Sequence, residues 1–260
     1  MSEVAEIYNT LFNFEVSPKQ GAYPIHKKIN FVNGGNDIAD WIIQNSLCPV
    51  GASVLDVGCG TGNTLFKLSK SKQASGLGIS ISENEIEFAN SQLEKLGEKT
   101  AIAFKKQSFD DPIIHEKFDV IIAIESLKHS ANLSKTIKNL LSISHEHTVF
   151  IVADDFIIHP SVDSQQQMNL WNAPSLLPVL EFEKLLNKNG FAQVKSHVFT
   201  DKVNLKSKFL LSIMIFGMRL IKKIVKGDHK ILIETYLGAL LLERLYQRKE
   251  MDYCILIAHK

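Results

Sequence analysis

Val54-Leu55-Asp56-Val57-Gly58-Cys59-Gly60-Thr61-Gly62 is the stretch that decides the fold of this 260-residue chain. Its apolar residues around one acid predict a short strand buried on both faces, and its glycines predict a turn into a helix at Asn63–Lys70. Glycine permits a positive φ angle and, because it has no Cβ atom, lets a ligand lie against the backbone. The N–H groups that open the next helix favour an anionic ligand group. The stretch therefore predicts a site for a nucleotide-like cofactor.

The spacing of the glycines indicates which cofactor this is. Dinucleotide-binding turns have the pattern G-x-G-x-x-G, whereas Gly58, Gly60 and Gly62 give G-x-G-x-G directly after Asp56. This pattern resembles motif I of the class I S-adenosylmethionine-dependent methyltransferases, which implies S-adenosyl-L-methionine as the cofactor. By that resemblance Asp56 lies near the ammonium group of the cofactor, and the backbone of Gly58, Cys59 and Gly60 passes under its methionine half. The alternative is an ordinary glycine turn in an unrelated α/β protein.

A second strand, predicted at Ser75–Ile79, leads to the expected ribose site. Nucleotide-binding folds usually have an acid at the end of this strand, and this chain has Ser80. The run Gly-Ile-Ser-Ile-Ser-x-x-Glu that ends at Glu85 is similar to the Gly-x-Thr-x-Ser-x-x-Gln run of C-methyltransferases related to cyclopropane-fatty-acid synthases and to terpene or tocopherol methyltransferases. The resemblance implies that Ser80 and Glu85 share the ribose and that Ile81 belongs to the cofactor site.

Glu85 has an equally good structural explanation. Ser82-x-x-Glu85 is also a capping box, in which the serine and the acid satisfy N–H groups at the start of the helix Glu83–Leu96. One carboxylate can serve both roles, so both remain open.

The expected adenine site follows a third strand, Thr100–Lys106. Methyltransferases commonly have an acid where Ser108 falls, and a serine accepts the hydrogen bond of the adenine amino group more weakly than a carboxylate. Phe109 is expected to pack on the adenine.

The fourth strand, Phe118–Ile124, delivers the candidate catalytic residues at its carboxyl end, where ligands bind in open α/β sheets. Glu125-Ser-Leu-Lys-His129 resembles the Glu-Ser-x-x-His element of the same C-methyltransferases, with Ile124 beside the cofactor. A carboxylate at Glu125 can steady a developing cation or take a proton, and His129 can act as a base near neutral pH. Alternatively, Glu125 only lines the pocket and His129 is an ordinary loop residue.

The remaining pattern predicts a Rossmann-like α/β fold. A fifth strand is expected at Thr148–Ala153, and the strands Phe191–Thr200 and Tyr253–His259 are expected to form an antiparallel pair. The result is a seven-stranded, mostly parallel sheet with an antiparallel last strand and helices on both faces. A long irregular segment, Ile157–Pro178, is predicted to wall the acceptor site with Phe156 and Trp171.

Three parts of the chain are distinguished: an N-terminal helical extension (1–50), a methyltransferase core (51–200 and 250–260) and a helical insertion (201–249). In the extension a helix is expected at Ala5–Phe14 and another at about Gly35–Leu47, and Tyr23 between them is a candidate contact to the cofactor. The alternative for Tyr23 is an aromatic packed under the extension.

The insertion is expected to contain two helices, Phe209–Val225 and Ile231–Gln247. Between Asp201 and Lys230 there are eight Lys or Arg residues against two Asp, within a chain of net charge +1. An apolar lid with a basic end suits a hydrophobic acceptor that carries an anionic group, or peripheral contact with a membrane. The alternative is that the apolar residues cover the sheet or form the face of a homodimer.

The composition of the chain argues against several other classes of protein and binding site. A net charge of +1 argues against dedicated nucleic-acid binding, and the three cysteines, Cys48, Cys59 and Cys254, lack metal-ligand spacing. No metal site is therefore expected, and a reduced, cytoplasmic setting is the default. The longest apolar run, Phe209–Met218, is too short to span a bilayer.

The sequence as a whole indicates a methyltransferase that acts on a hydrophobic small molecule, either a natural product or a lipid-like compound. Carbon is favoured over oxygen as the methylated atom because of the elements at Ser80 and Glu125. Two alternatives remain: a cyclase that binds the cofactor without transferring its methyl group, and a non-catalytic binding protein on the same fold.

Overall fold

A computed structural model of the chain describes residues 2–14, 38–96, 100–111 and 114–260. Seven strands in these ranges form one sheet, and their bounds are β1 Ser53–Val57, β2 Ser75–Ser80, β3 Ile102–Lys106, β4 Phe118–Ile124, β5 Ser144–Ile157, β6 Ala192–Val198 and β7 Met251–His259. Their order across the sheet is β3-β2-β1-β4-β5-β7-β6.

The direction of the strands confirms the predicted fold class. β1 pairs in parallel with β2 and β4, and β7 lies antiparallel between β5 and β6. Because β1 is central and buried on both faces, Val54 packs into one apolar layer while Leu55 and Val57 pack into the other. The near-continuous apolar sequence of β1 and β4 follows from this two-sided burial.

Helices cover both faces of this sheet within the described ranges, and local capping explains where several of them begin. Ser82 accepts a hydrogen bond from the Glu85 N–H, and Asn132 accepts one from the Lys135 N–H, so each side chain satisfies a free N–H group. The helices are α1 Glu3–Phe14, α2 Ile38–Gln44, α3 Asn63–Lys72, α4 Glu83–Lys95, α5 Leu133–Ser142, α6 Val162–Trp171, α7 Val179–Lys188, α8 Lys208–Ile221 and α9 Asp228–Gln247. Tyr23 lies outside the described residues.

The segment predicted to be irregular, Ile157–Pro178, contains helix α6, so that prediction is wrong. Its sequence, rich in Ser, Gln and Asn, lacks the apolar period that signals a helix, and the capping box pairs Ser161 with Ser164 where Glu or Gln is usual at the second position.

Phe156 and Trp171, predicted to wall the acceptor site, are instead core residues. Phe156 packs edge-on against Phe182, and the Trp171 indole N–H donates to the Thr235 carbonyl oxygen at 3.2 Å. Both side chains are buried, because large aromatic groups contribute most when their whole surface is removed from water.

The insertion consists of α8 and α9, which follow β6 and precede β7. Apolar residues of α8 pack on α9, and α9 in turn contacts α6 and α1. Within the described ranges, no helix combines the length and the apolar content that crossing a bilayer requires.

Candidate active site

A cavity of about 370 Å³ lies at the carboxyl edge of β1, β2 and β4. Turns after these strands supply one side, while α1 and the loop after α6 supply the other. The residues that line it are Ser2, Val4, Tyr8, Gly58, Gly60, Ser80, Ile81, Glu85, Ser108, Phe109, Asp110, Ile124, Glu125, Ser126, His129, Ala131, Asn172 and Pro174. Ten of the twelve site residues expected from the sequence are among them; Asp56 and Cys59 are not.

The glycine turn presents bare main chain to this cavity. Gly60 has a φ of 52°, and among the described residues a Cβ atom built on it would have only Glu85 Oε1 within 4 Å, at 3.8 Å. A side chain at Gly60 would therefore project into open space where a ligand can lie. Gly58 is different, because a Cβ there would lie 2.4 Å from Ser126 Cβ, so this glycine allows β1 and the loop after β4 to approach closely.

Cys59 points away from the cavity wall. Its N–H and that of Gly58 both donate to the Ile79 carbonyl oxygen, at 2.9 Å each. Its sulfur lies where a Cβ atom on Gly78 would be only 2.9 Å away. Cys59 therefore joins the turn to β2, and its amide is already engaged.

Asp56 is a buried acid that lacks a full set of partners. Its Oδ2 atom is inaccessible to solvent, and no donor within the described ranges reaches it. Burial raises the pKa of this carboxyl to about 7. A buried carboxylate without a partner is costly, which suits a site that receives a cationic group such as an ammonium.

Asp56→Asn is expected to change how stability depends on pH. Between pH 4 and 7 the unfolded chain releases the Asp56 proton while the folded protein retains it, so the wild type loses stability as the pH rises. The difference of about three pKa units corresponds to roughly 4 kcal/mol. Urea unfolding of the ligand-free protein at pH 5 and pH 8 measures it, and the variant should become the more stable protein at pH 8.

Asp119→Asn is the matched control. Hydrogen bonds from the Ser53 N–H and hydroxyl, at 2.9 and 2.8 Å, lower the pKa of Asp119, so its stabilisation is lost as the pH falls. Between pH 5 and pH 8 the Asp119 carboxyl is ionised in both the folded and the unfolded state, so its removal should leave the pH slope like that of the wild type. Identical slopes for wild type and Asp56→Asn would contradict the raised pKa.

Ser80 and Glu85 form a pair on the cavity wall. Ser80 Oγ donates to Glu85 Oε2 at 2.8 Å, while the Glu85 N–H donates to Ser82 Oγ at 3.3 Å. The main chain of Glu85 thus serves the helix cap and its carboxylate lies beside Ser80. Ser82 Oγ also donates to Asn9 Oδ1 at 2.7 Å, which ties α1 to α4.

Two further predicted residues, Ser108 and Phe109, lie at the end of β3. Phe109 is buried against the core yet reaches the cavity, and Ser108 Oγ accepts a hydrogen bond from the Asp110 N–H at 3.2 Å. The Asp110 carboxylate in turn accepts from the hydroxyls of Ser130 and Thr136, at 2.7 and 2.6 Å. Asp110 therefore holds the loop after β4 against the loop after β3.

Glu125 follows β4 with a φ of 52°, an unusual conformation for a residue with a side chain. Its N–H donates to the Ala153 carbonyl oxygen at 2.7 Å, so the sheet fixes this turn. Backbone strain in a residue on a cavity wall is a feature of functional sites.

His129 is a neutral imidazole held at both nitrogens. Its Nδ1 lies 3.0 Å from the Asn172 carbonyl oxygen, which can only accept, so Nδ1 carries the proton and Nε2 accepts from the Tyr8 hydroxyl at 3.1 Å. Burial, aided by the charge of Lys128, lowers the pKa of His129 to about 4. The sequence led us to expect a base near neutral pH, and burial makes His129 a weaker one.

Tyr8 is a site residue that the sequence did not reveal. The sequence indicates Tyr23, in the non-helical stretch of the N-terminal extension, as the candidate contact to the cofactor, whereas Tyr8 is the tyrosine of the described residues that lines the cavity. Tyr8 lies on α1 between the apolar residues Ile7 and Leu11. In the sequence it therefore looks like an ordinary member of an amphipathic helix.

Lys128 is the centre of a second group that the sequence did not reveal. Its ammonium group lies 3.0 Å from Asp154 Oδ1 and 3.1 Å from Asp155 Oδ2, and Asp155 also accepts from the Tyr246 hydroxyl. Burial alone would lower the pKa of Lys128, but the two carboxylates raise it well above the usual value. The signal that the sequence offers for this group is the acidic pair Asp154-Asp155, which follows directly after the apolar run 149–153.

Lys128→Met is expected to destabilise the protein by about 3 to 5 kcal/mol, because it leaves two buried carboxylates without their cation. Thermal or urea unfolding measures this loss. Lys135→Met is the control, because Lys135 pairs with Asp111 on the surface, where an ion pair contributes at most about 1 kcal/mol. Equal stabilities of the two variants would contradict the role given to Lys128.

Fold and site together define a class I methyltransferase architecture. A family model described as a methyltransferase domain matches residues 50–231, more than half of the chain, and the chain belongs to this family. This match confirms the predicted enzyme class and S-adenosyl-L-methionine as the cofactor of this domain. Within the described residues, no group of three or more His, Cys, Asp or Glu side chains is arranged to hold a metal ion.

Two relatives illustrate how similar individual proteins are to this chain in sequence. The chain is 29% identical over 154 residues to an O-methyltransferase of Pyrenophora dematioidea, covering 57% of this chain and 58% of the relative. It is 30% identical over 162 residues to the 2-methyl-6-phytyl-1,4-hydroquinone methyltransferase of Synechocystis sp., covering 60% and 46%. The match thus spans about half the length of these two relatives.

Among solved structures, the [4+2]-cyclase SpnF superposes with a TM-score of 0.75 at 16% identity, covering 99% of this chain and 95% of that one. At this identity the likeness shows a shared fold.

The residues present fit S-adenosylmethionine. Open main chain at Gly60 leaves space for the amino-acid portion, the Ser80–Glu85 pair offers polar atoms to ribose hydroxyls, and Phe109 offers an aromatic surface. Asp56, two residues before Gly58, is a buried acid whose Oδ2 atom has no partner among the described residues.

Proposed function

We propose that this protein transfers a methyl group from S-adenosyl-L-methionine to a hydrophobic small-molecule acceptor. The observation that carries the proposal is the joining of the open glycine turn and the Glu125 carboxylate in a single cavity. A donor site and a candidate proton acceptor thereby share one space, which methyl transfer requires and a purely structural turn does not.

The sulfonium supplies a methyl group that is already activated. The residues of this chain therefore have the tasks of aligning the acceptor, excluding water and receiving a proton. We assign the last task to Glu125, since the lowered pKa of His129 makes the imidazole a weak acceptor near neutral pH. We assign to Tyr8 and His129 the task of holding α1 against the loop after β4, which encloses the cavity.

The acceptor is proposed to be apolar and uncharged where it meets the cavity. Val4, Ile81, Ile124 and Pro174 give the walls an apolar character, whereas Glu85, Glu125 and Asp110 would repel an anionic group. No residue of the insertion 201–249 lines this cavity within the described part of the chain, so the basic residues of the insertion do not offset that repulsion.

We further propose carbon as the methylated atom. The two elements that resemble C-methyltransferases, at Ser80–Glu85 and at Glu125–His129, both lie on the cavity wall. The relatives include an O-methyltransferase and a hydroquinone methyltransferase, so their names leave either atom open.

Mass spectrometry with S-adenosylmethionine and a panel of prenylated hydroquinones and polyketide phenols tests the proposal. The expected product is heavier than the acceptor by one methylene unit and forms together with an equal amount of S-adenosylhomocysteine. NMR then distinguishes a methyl group on carbon from one on oxygen. Conversion without a mass gain and without S-adenosylhomocysteine would indicate a cyclase instead, and no conversion of any acceptor would contradict the proposal.

A further inference from the structure

Helix α8 carries an apolar face that the described part of the chain leaves uncovered. Its inner residues Leu211 and Ile215 are buried against α9. On the opposite side, Phe209 is 78% exposed and Phe216 is 66% exposed, and Ile224, in the turn after the helix, is 78% exposed. We call this side the α8 outer face, and its members, spaced by three or four residues, are Phe209, Ile213, Phe216, Leu220 and Ile224.

Basic residues accompany this face. From position 208 to position 230 the chain has six Lys or Arg residues and one acidic residue. Lys222 pairs with Glu234 at 2.8 Å and Arg219 approaches Asp163 at 3.5 Å, whereas Lys208, Lys223, Lys226 and Lys230 are exposed to solvent. A helix with large apolar side chains on one side and lysines around its ends is typical of segments that lie in a membrane interface.

We infer that the α8 outer face docks on an anionic lipid bilayer. The apolar side chains would enter the boundary between headgroups and acyl chains, and Lys223 and Lys226 would lie at the level of the lipid phosphates. The charge of the segment selects this occupant over a second copy of the chain. In a two-fold dimer this positively charged segment would meet a second segment of the same charge, whereas an anionic bilayer is complementary to it.

The position of the face supports a surface role that is separate from the cavity. Since no described residue of the insertion lines the cavity, these apolar groups do not complete the proposed acceptor site. Exposed apolar patches without an internal role mark sites of interaction with other molecules or membranes.

Flotation of the full chain with phospholipid vesicles tests the inference. The chain should bind vesicles of phosphatidylcholine that contain about 30% phosphatidylglycerol, should bind pure phosphatidylcholine far more weakly, and should dissociate as salt is raised. Phe209→Ser with Phe216→Ser should lower vesicle partitioning by about tenfold or more, because two aromatic groups no longer enter the bilayer. Lys223→Glu with Lys226→Glu should also lower vesicle partitioning by about tenfold or more, because the attraction between these lysines and the lipid phosphates is lost.

Val50→Ser with Leu180→Ser is the matched control, because it removes two exposed apolar side chains from other surfaces. It should bind vesicles like the wild type. Calorimetry with S-adenosylhomocysteine, whose binding should be unchanged in all three double variants, shows that each is folded and keeps this test independent of the proposed function.

Three results would overturn the inference: no binding to anionic vesicles, equal binding to neutral vesicles, or unchanged binding by the α8 variants. Sedimentation velocity adds a fourth. A wild-type dimer that Phe209→Ser with Phe216→Ser converts to monomers, without vesicle binding by the wild type, would assign the face to a second copy.

Discussion

Gly60→Val is expected to weaken binding of S-adenosylmethionine by about 100-fold or more, because the new side chain would occupy space in which the donor lies. A Cβ atom on Gly60 meets no atom of the described residues closer than Glu85 Oε1 at 3.8 Å, so this part of the chain can accommodate the valine without a clash. The φ of 52° at this position adds a folding cost of about 1 to 2 kcal/mol. Titration calorimetry at a temperature well below the unfolding transition measures the affinity.

Gly51→Val is the control that separates the loss of donor affinity from the loss of folding stability. Gly51 also has a positive φ, of 76°, and a Cβ atom there meets no atom of the described ranges within 4 Å, but it precedes β1 and does not line the cavity. The control should therefore lose stability to a similar degree and keep the affinity of the wild type. If Gly60→Val bound the donor as well as Gly51→Val does, the glycine turn would not be the donor site.

Glu125→Gln is expected to lower turnover by about 100-fold, the usual effect of losing a positioned proton acceptor. The amide retains the shape of the side chain and removes its negative charge, so the affinity for S-adenosylhomocysteine should change by less than about threefold. The comparison requires an acceptor found by mass spectrometry and measures kcat and the dissociation constant on the same preparations.

Tyr8→Phe distinguishes a proton acceptor from a residue that encloses the cavity. It removes the hydroxyl that donates to His129 and keeps the ring, so turnover should fall by less than about tenfold. If Tyr8→Phe lowered turnover more than Glu125→Gln does, the principal catalytic role would belong to the Tyr8–His129 pair. Unchanged turnover in Glu125→Gln would remove Glu125 from the mechanism.

The sequence predicted those parts of the site that depend on local signals. Glycine spacing located the turn at Gly58–Gly60, uninterrupted apolar runs located the central strands, and the carboxyl ends of three neighbouring parallel strands brought Ser80 and Glu125 to one cavity.

The parts that were missed depend on contacts between distant segments. Tyr8 and His129 are separated by 121 residues, and no local pattern indicates that α1 would bring them together. Lys128 meets its carboxylates 26 and 27 residues later, so the acidic pair Asp154-Asp155 could signal a buried charge but not which residue pairs with it. Such pairs follow from how helices pack on the finished sheet, which single-sequence patterns do not encode.

A crystal structure with S-adenosylhomocysteine bound tests the central claim most directly. The ligand should lie in the cavity with its amino-acid portion against the main chain of Gly58–Gly60 and its ribose beside Ser80 and Glu85. Its adenine should be near Ser108 and Phe109. Density for the ligand anywhere else, or a glycine turn covered by a side chain so that the ligand is excluded, would contradict the account.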